Sequence, residues 1–133
     1  MGAAGLKVLL DTHALLWWLA DHPSLSRRAW SVISLTRNQV IVSAASVWEI
    51  AIKANAGKLV VPDTLLTDFI GVLAREGFDP LSITPEHAIR AGNLPGPHHD
   101  HFDRMLIAQA QIESLAIIGK DAFFDKYGVN RVW

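Results

Sequence analysis

Leu6-Lys7-Val8-Leu9-Leu10-Asp11-Thr12-His13 is the stretch on which the fold turns. Its apolar run is short and β-favouring and stops on a carboxylate. Directly after it, Ala14-Leu15-Leu16-Trp17-Trp18-Leu19 takes up a helical pattern. Strand, acid and helix in succession are the grammar of an α/β domain. A strand that is almost continuously apolar is covered on both faces, and ligands in such folds sit beyond the carboxyl ends of the strands. Asp11 is at that address. Its structural alternative is helix capping, for which Asp is well suited, so the question is whether other acids reach the same place.

Working outward, Asp21-His22-Pro23-Ser24 supplies turn chemistry after a first helix ending near Ala20. A second helix is expected from there through Arg27, Arg28 and Trp30 to about Leu35. Gln39-Val40-Ile41-Val42 is a second strand. Ser43 is placed as the N-cap of a helix from Ala44 to Asn55, with Gly57 to end it. Pro62 opens a helix to about Arg75, Leu81-Ser82-Ile83 is a short strand, and Thr84-Pro85-Glu86 starts a helix toward Ala91. Asn93-Leu94-Pro95-Gly96-Pro97 breaks that helix. The loop His98-His99-Asp100-His101-Phe102-Asp103 leads into a helix from about Phe102 to Glu113, Leu115-Ala116-Ile117-Ile118 is a strand, and a tail ends in Arg131-Val132-Trp133. Alternating strands and helices imply one α/β/α sandwich over residues 6–133, with a mostly parallel sheet of about five strands. Met1 to Gly5 is expected to be a leader outside it.

The 133 residues are enough for one domain with a sizeable core, and 50% hydrophobic with 19% charged residues is a globular balance. No apolar run nears the roughly 20 residues of a membrane span, and the N-terminus lacks a signal-peptide pattern, so a cytoplasmic location is expected. Without cysteine, disulfides, thiolate metal sites and cysteine nucleophiles are excluded. At a net charge of −1, a nucleic-acid partner would have to be held by local basic side chains.

Further acids follow strand ends or stand in apolar surroundings. Asp100 and Asp103 precede the last long strand, Asp121 follows it in Gly119-Lys120-Asp121, and Glu49 lies mid-helix in Ser46-Val47-Trp48-Glu49-Ile50-Ala51-Ile52. Each has a structural alternative: Asp100 and Asp121 as helix caps, Asp103 as a first-turn acid beside Arg104, Glu49 paired with Lys53 one turn on. Taken together they suggest more. Two carboxylates about 4 Å apart repel by roughly 4 kcal/mol at an effective dielectric of 20, and a hard divalent cation such as Mg²⁺ or Mn²⁺ relieves that.

Leu9-Leu10-Asp11-Thr12-His13-Ala14-Leu15-Leu16-Trp17, Ser46-Val47-Trp48-Glu49-Ile50-Ala51-Ile52-Lys53, Gly57-Lys58-Leu59 and the run from His98 through Asp100, Asp103 and Arg104 to Ala110 resemble the PIN-domain family, and within it the VapC toxins of toxin–antitoxin pairs. The resemblance covers nearly the whole chain in order. It implies a Mg²⁺- or Mn²⁺-dependent endoribonuclease, with Asp11, Glu49, Asp100 and Asp103 as the catalytic, metal-holding acids. It also implies a homodimer and an antitoxin whose C-terminal segment occupies an apolar groove. Two positions depart from the family pattern: Gly119 stands where a hydroxyl residue is common, which weakens the case for Asp121, and His101 stands where proline is usual.

Thr12 either orients Asp11 or a metal-bound water, or only caps. Arg104, Lys53 and Arg27 are candidate phosphate contacts. Trp17, Trp18 and Trp30 are candidates for the antitoxin groove, because adjacent helical residues point about 100° apart and cannot share one narrow stripe. The competing readings are a zinc site on His98, His99 and His101, and a PIN-like scaffold that only binds RNA or protein. A P-loop is absent, since Gly57-Lys58 is followed by Leu59.

Overall fold

The computed structural model describes residues 5–96 and 100–133. Five parallel strands lie in the order β3-β2-β1-β4-β5, with β1 (Lys7–Leu10) at the centre between β2 (Gln39–Ser43) and β4 (Ala116–Ile118). β3 (Asp79–Leu81) and β5 (Arg131–Val132) are the edges. The expected parallel α/β sandwich is therefore present. Val8, Leu9 and Leu10 are wholly buried, as a strand covered on both faces must be.

Their alternation sorts the core into two layers. Val8, Leu10, Val40, Val42 and Ile118 pack against α1 (Thr12–Leu19), α2 (Arg27–Ser34) and α5 (Phe69–Glu76). Leu9, Ile41 and Ile117 face the other way, onto Leu106, Ile107 and Ala110 of α7 (His101–Glu113) and Ala45 of α3 (Ala44–Asn55). Leu94, from the end of α6 (Pro85–Asn93), joins that second layer. Asp11, Ser26, Ser43, Thr84 and Asp100 all cap helix N-termini by accepting backbone N–H bonds.

Some elements differ from the expectations. The helix expected from Pro62 to Arg75 is two, α4 (Asp63–Thr67) and α5. Asp68 lies between them with φ −143° and ψ 56°, and its carboxylate accepts from the Gly71 N–H at 3.1 Å. Helix α2 begins at Arg27, later than expected, because Ser26 takes the cap. The third strand sits two residues early and includes Pro80, which an edge strand tolerates. The C-terminal tail supplies β5, whose two residues pair with β4.

The chain runs from β1 outward to β2 and β3, then crosses back to β4 on the other side of β1. The carboxyl ends of β1 and β4 thus flank the point where the winding reverses, the usual crevice for a ligand in an open α/β sheet.

Candidate functional site

Asp11 leaves β1 at that crevice. Its backbone N–H donates to the Ile118 carbonyl at 2.9 Å, which fixes it beside the end of β4. Oδ1 accepts from the Ala14 N–H at 2.7 Å, so Asp11 does cap α1. The other oxygen lies against Gly119, where a Cβ would fall 2.7 Å from Oδ2. Asp11 is 7% exposed. Burial pushes its carboxyl up to about 6, with the charges of Glu49 and Asp121 adding to the effect and the Ala14 N–H and His13 opposing it.

Glu49 arrives from α3, 5% exposed, and one oxygen meets Lys53 Nζ at 2.6 Å. The expected one-turn pair exists, but its acid is buried while its lysine remains partly in water. Asp100 caps α7, with Oδ1 accepting from the N–H groups of Phe102 at 2.9 Å and Asp103 at 3.2 Å. Asp103, in the first turn of the same helix, has its carboxyl pushed up to about 8, first by burial, then by the charge and hydrogen bond of Asp100, then by Asp11 and Glu49. A hydrogen bond between two carboxyl groups requires a proton on one of them, and it is Asp103 whose hold on a proton is raised. Asp121 is exposed and caps the 3₁₀ turn Ala122–Tyr127 by accepting from Phe123 N–H at 3.0 Å, while its charge still reaches Asp11.

The structure thus brings Asp11, Glu49, Asp100 and Asp103 into one electrostatic neighbourhood, with Asp121 at its margin. Among the described residues no three His, Asp or Glu side chains are gathered closely enough to form a ready-made ion-holding set. The donor chemistry itself, all carboxylate oxygen, fits a hard cation.

Thr12 neither caps nor turns to Asp11: its hydroxyl donates to Ser46 Oγ at 3.0 Å, a buried bond from α1 to α3. Ser46 was not among the candidates, although it stands three residues before Glu49 and shares its helix face. The Arg104 guanidinium donates to the Leu94 carbonyl. Arg27 lines a groove of about 530 Å³ together with Trp17, Trp18 and Trp30. The three tryptophans do share a surface there. Trp18 also packs onto the core and donates from Nε1 to Glu76 at 2.7 Å, whereas Trp30 is 52% exposed. His98 and His99 of the zinc reading lie outside the described residues, and His101 is exposed at the start of α7.

A family model of the PIN domain matches residues 8–130. The chain belongs to the PIN domain family. Ribonuclease VapC16 of Mycobacterium tuberculosis is 36% identical to this PIN domain over 80 residues, 56% of this chain and 57% of that protein. The match therefore spans little more than half the length of that relative. The same PIN fold appears in VapBC2 from Rickettsia felis, solved bound to a DNA fragment from their promoter, with TM-score 0.70 and 13% identity, covering 95% of this chain and 97% of that one. FitAcB from Neisseria gonorrhoeae superposes with TM-score 0.63 and 20% identity, covering 93% of this chain and 95% of that one. For VapBC-1 from nontypeable Haemophilus influenzae the values are 0.65 and 15%, with 95% and 96% covered.

Proposed function

We propose that this PIN domain is the toxin of a toxin–antitoxin module, an endoribonuclease that hydrolyses RNA phosphodiester bonds with a carboxylate-held divalent cation. The observation that carries the reading is the electrostatic coupling of Asp11, Glu49, Asp100 and Asp103: burial pushes Asp11 up to about 6, with Glu49 and Asp121 adding to it, and Asp103 up to about 8, with Asp100, Asp11 and Glu49 adding to it. The likeness to Ribonuclease VapC16 and to the VapBC and FitAcB structures supports it.

Asp11 and Asp103 would hold the ion, with Glu49 and Asp100 completing the set. A bound Mg²⁺ or Mn²⁺ supplies a water of lowered pKa and neutralises charge on the phosphoryl oxygens. The chain's own contribution is to keep these acids desolvated and oriented. The Ala14 N–H fixes one oxygen of Asp11, Lys53 fixes one of Glu49, and the Phe102 and Asp103 N–H groups fix one of Asp100. Lys53, paired with Glu49, and Arg104, next to Asp103 in α7, would meet RNA phosphates. The reading carries a homodimer and a cognate antitoxin protein, whose apolar segment would lie in the groove of Trp17, Trp18 and Trp30.

Cleavage of a labelled single-stranded RNA, with EDTA and with added Mg²⁺ or Mn²⁺, tests the central claim. Cleavage should require the ion and vanish in Asp11→Asn. RNA binding without cleavage at any ion concentration would instead mean a non-catalytic module.

A further inference from the structure

Trp48 stands 61% exposed on α3, immediately before buried Glu49. Its ring meets Phe102 of α7 edge to face, with centroids 5.2 Å apart and planes at 76°. Successive helical residues point about 100° apart. One step back from Glu49 and one step back from Asp103 therefore turn both helices from acid to aromatic ring. The two helices are thus coupled twice, through the charge of Glu49 on Asp103 and through the ring contact of Trp48 with Phe102. Beside the pair opens a groove of about 420 Å³, walled by Trp48, Phe102, Ile83 and Met105 and bordered by His101 and Arg104.

We propose that this groove receives an unpaired nucleobase of single-stranded RNA, the one neighbouring the phosphate at the acids. Trp48 is the stacking surface, and Phe102 holds the indole upright. The proposal rests on the ribonuclease reading above. Exposed aromatic rings beside a phosphate-handling centre bind single strands because every base has a flat π-face, and the Arg104 guanidinium in the same groove suits the polyanionic backbone. A second copy of the chain is the less suitable occupant. A stable interface covers about 800 Å² per partner around an apolar centre. Of the nine exposed large hydrophobic side chains among the described residues, only Trp48 lines this groove.

The test uses Asp103→Asn as a background that binds without cutting. Fluorescence anisotropy with a short labelled single-stranded RNA, and with the same RNA made abasic at one position at a time, is compared for Trp48, Trp48→Leu and Trp48→Phe. Trp48→Leu should weaken binding of intact RNA about tenfold and bind RNA abasic at the stacked position as the parent does, while Trp48→Phe stays within about threefold of the parent. Unchanged affinity, equal weakening on every abasic RNA, or a dimer that sedimentation shows to dissociate in Trp48→Leu would each overturn the platform. If the unmutated chain cuts RNA while the Trp48 variants bind normally, only the platform fails. If the unmutated chain neither binds nor cuts RNA, the ribonuclease reading fails and the platform with it.

Discussion

Asp103 and Asp11 each bind a proton more tightly in the folded chain than an ordinary carboxyl near pKa 4 does. Such a group stabilises the fold fully below its unfolded pKa, and that contribution is lost as pH rises through its folded pKa, about 6 for Asp11 and about 8 for Asp103. Replacing Asp103 by Asn removes the repulsion, keeps the shape and can still donate to Asp100. We expect Asp103→Asn to raise the metal-free melting midpoint at about pH 8, on the order of 1 kcal/mol, while abolishing cleavage. A lowered midpoint in calorimetry would mean that its links to its neighbours matter more than the repulsion. Gly119 is the other decisive residue. A Cβ there would lie 2.7 Å from Asp11 Oδ2 and 3.1 Å from buried Phe124 Cε2. Gly119→Ala should therefore displace the carboxylate, cost about 1–3 kcal/mol and slow cleavage. Thermal melts and initial rates, measured together, check both effects.

Between elements, the polar contact at the core of the second layer sets the spacing of α3 and α7. Ser43 caps α3 through the Ala45 N–H, and its hydroxyl donates to Gln109 Oε1 at 2.5 Å, on α7. The Gln109 amide donates in turn to the Ser82 carbonyl at 3.3 Å and lies 3.4 Å from His87 Nδ1 of α6. Ser43, Gln109 and His87 are 0%, 0% and 1% exposed. A buried group stripped of its partner carries its full desolvation cost. Gln109→Leu should consequently lose about 2–4 kcal/mol in urea denaturation, and cleavage should fall with it, because Glu49 and Asp103 ride on the two helices so tied. A loss under about 0.5 kcal/mol would remove this network from the account of how the acids are spaced.

For the molecule as a whole, the two shifted carboxyls predict a pH-dependent fold. Metal-free protein should melt higher near about pH 5 than near about pH 8.5, and Mg²⁺ should narrow the gap by binding only the folded, deprotonated cluster. Differential scanning calorimetry with and without EDTA measures this, and a midpoint that rises with pH would contradict it. The tryptophan groove divides similarly into framework and surface. Trp18 contacts Trp30 and Phe78 and packs onto the main core, so Trp18→Ala should cost several kcal/mol, about 3–5 for a large aromatic. Trp30, half exposed, should cost far less. Trp30→Ala should instead weaken calorimetric binding of the cognate antitoxin segment about tenfold or more, and an unchanged affinity would take the antitoxin off this surface.

The central strand, its double-sided burial, the Ser43 cap and the acids as candidates were legible in the chain itself. These depend on local pattern: Val8 to Leu10 alternate between two cores, and Ser43 caps its helix wherever that helix goes. Two-residue β5 has too short a period to read, and the break at Asp68 depends on a side chain bonding its own backbone. Only the tertiary structure decided that Asp11 and Asp103, 92 positions apart, share one desolvated crevice. That follows from the crossing of the chain over β1 to β4, a consequence of strand order. It likewise decided that Asp121 stays at the margin, that Thr12 bonds Ser46, and that Gly119 leaves the space Asp11 fills. Each is a contact between distant segments, and its energy exists only once the sheet has brought them together.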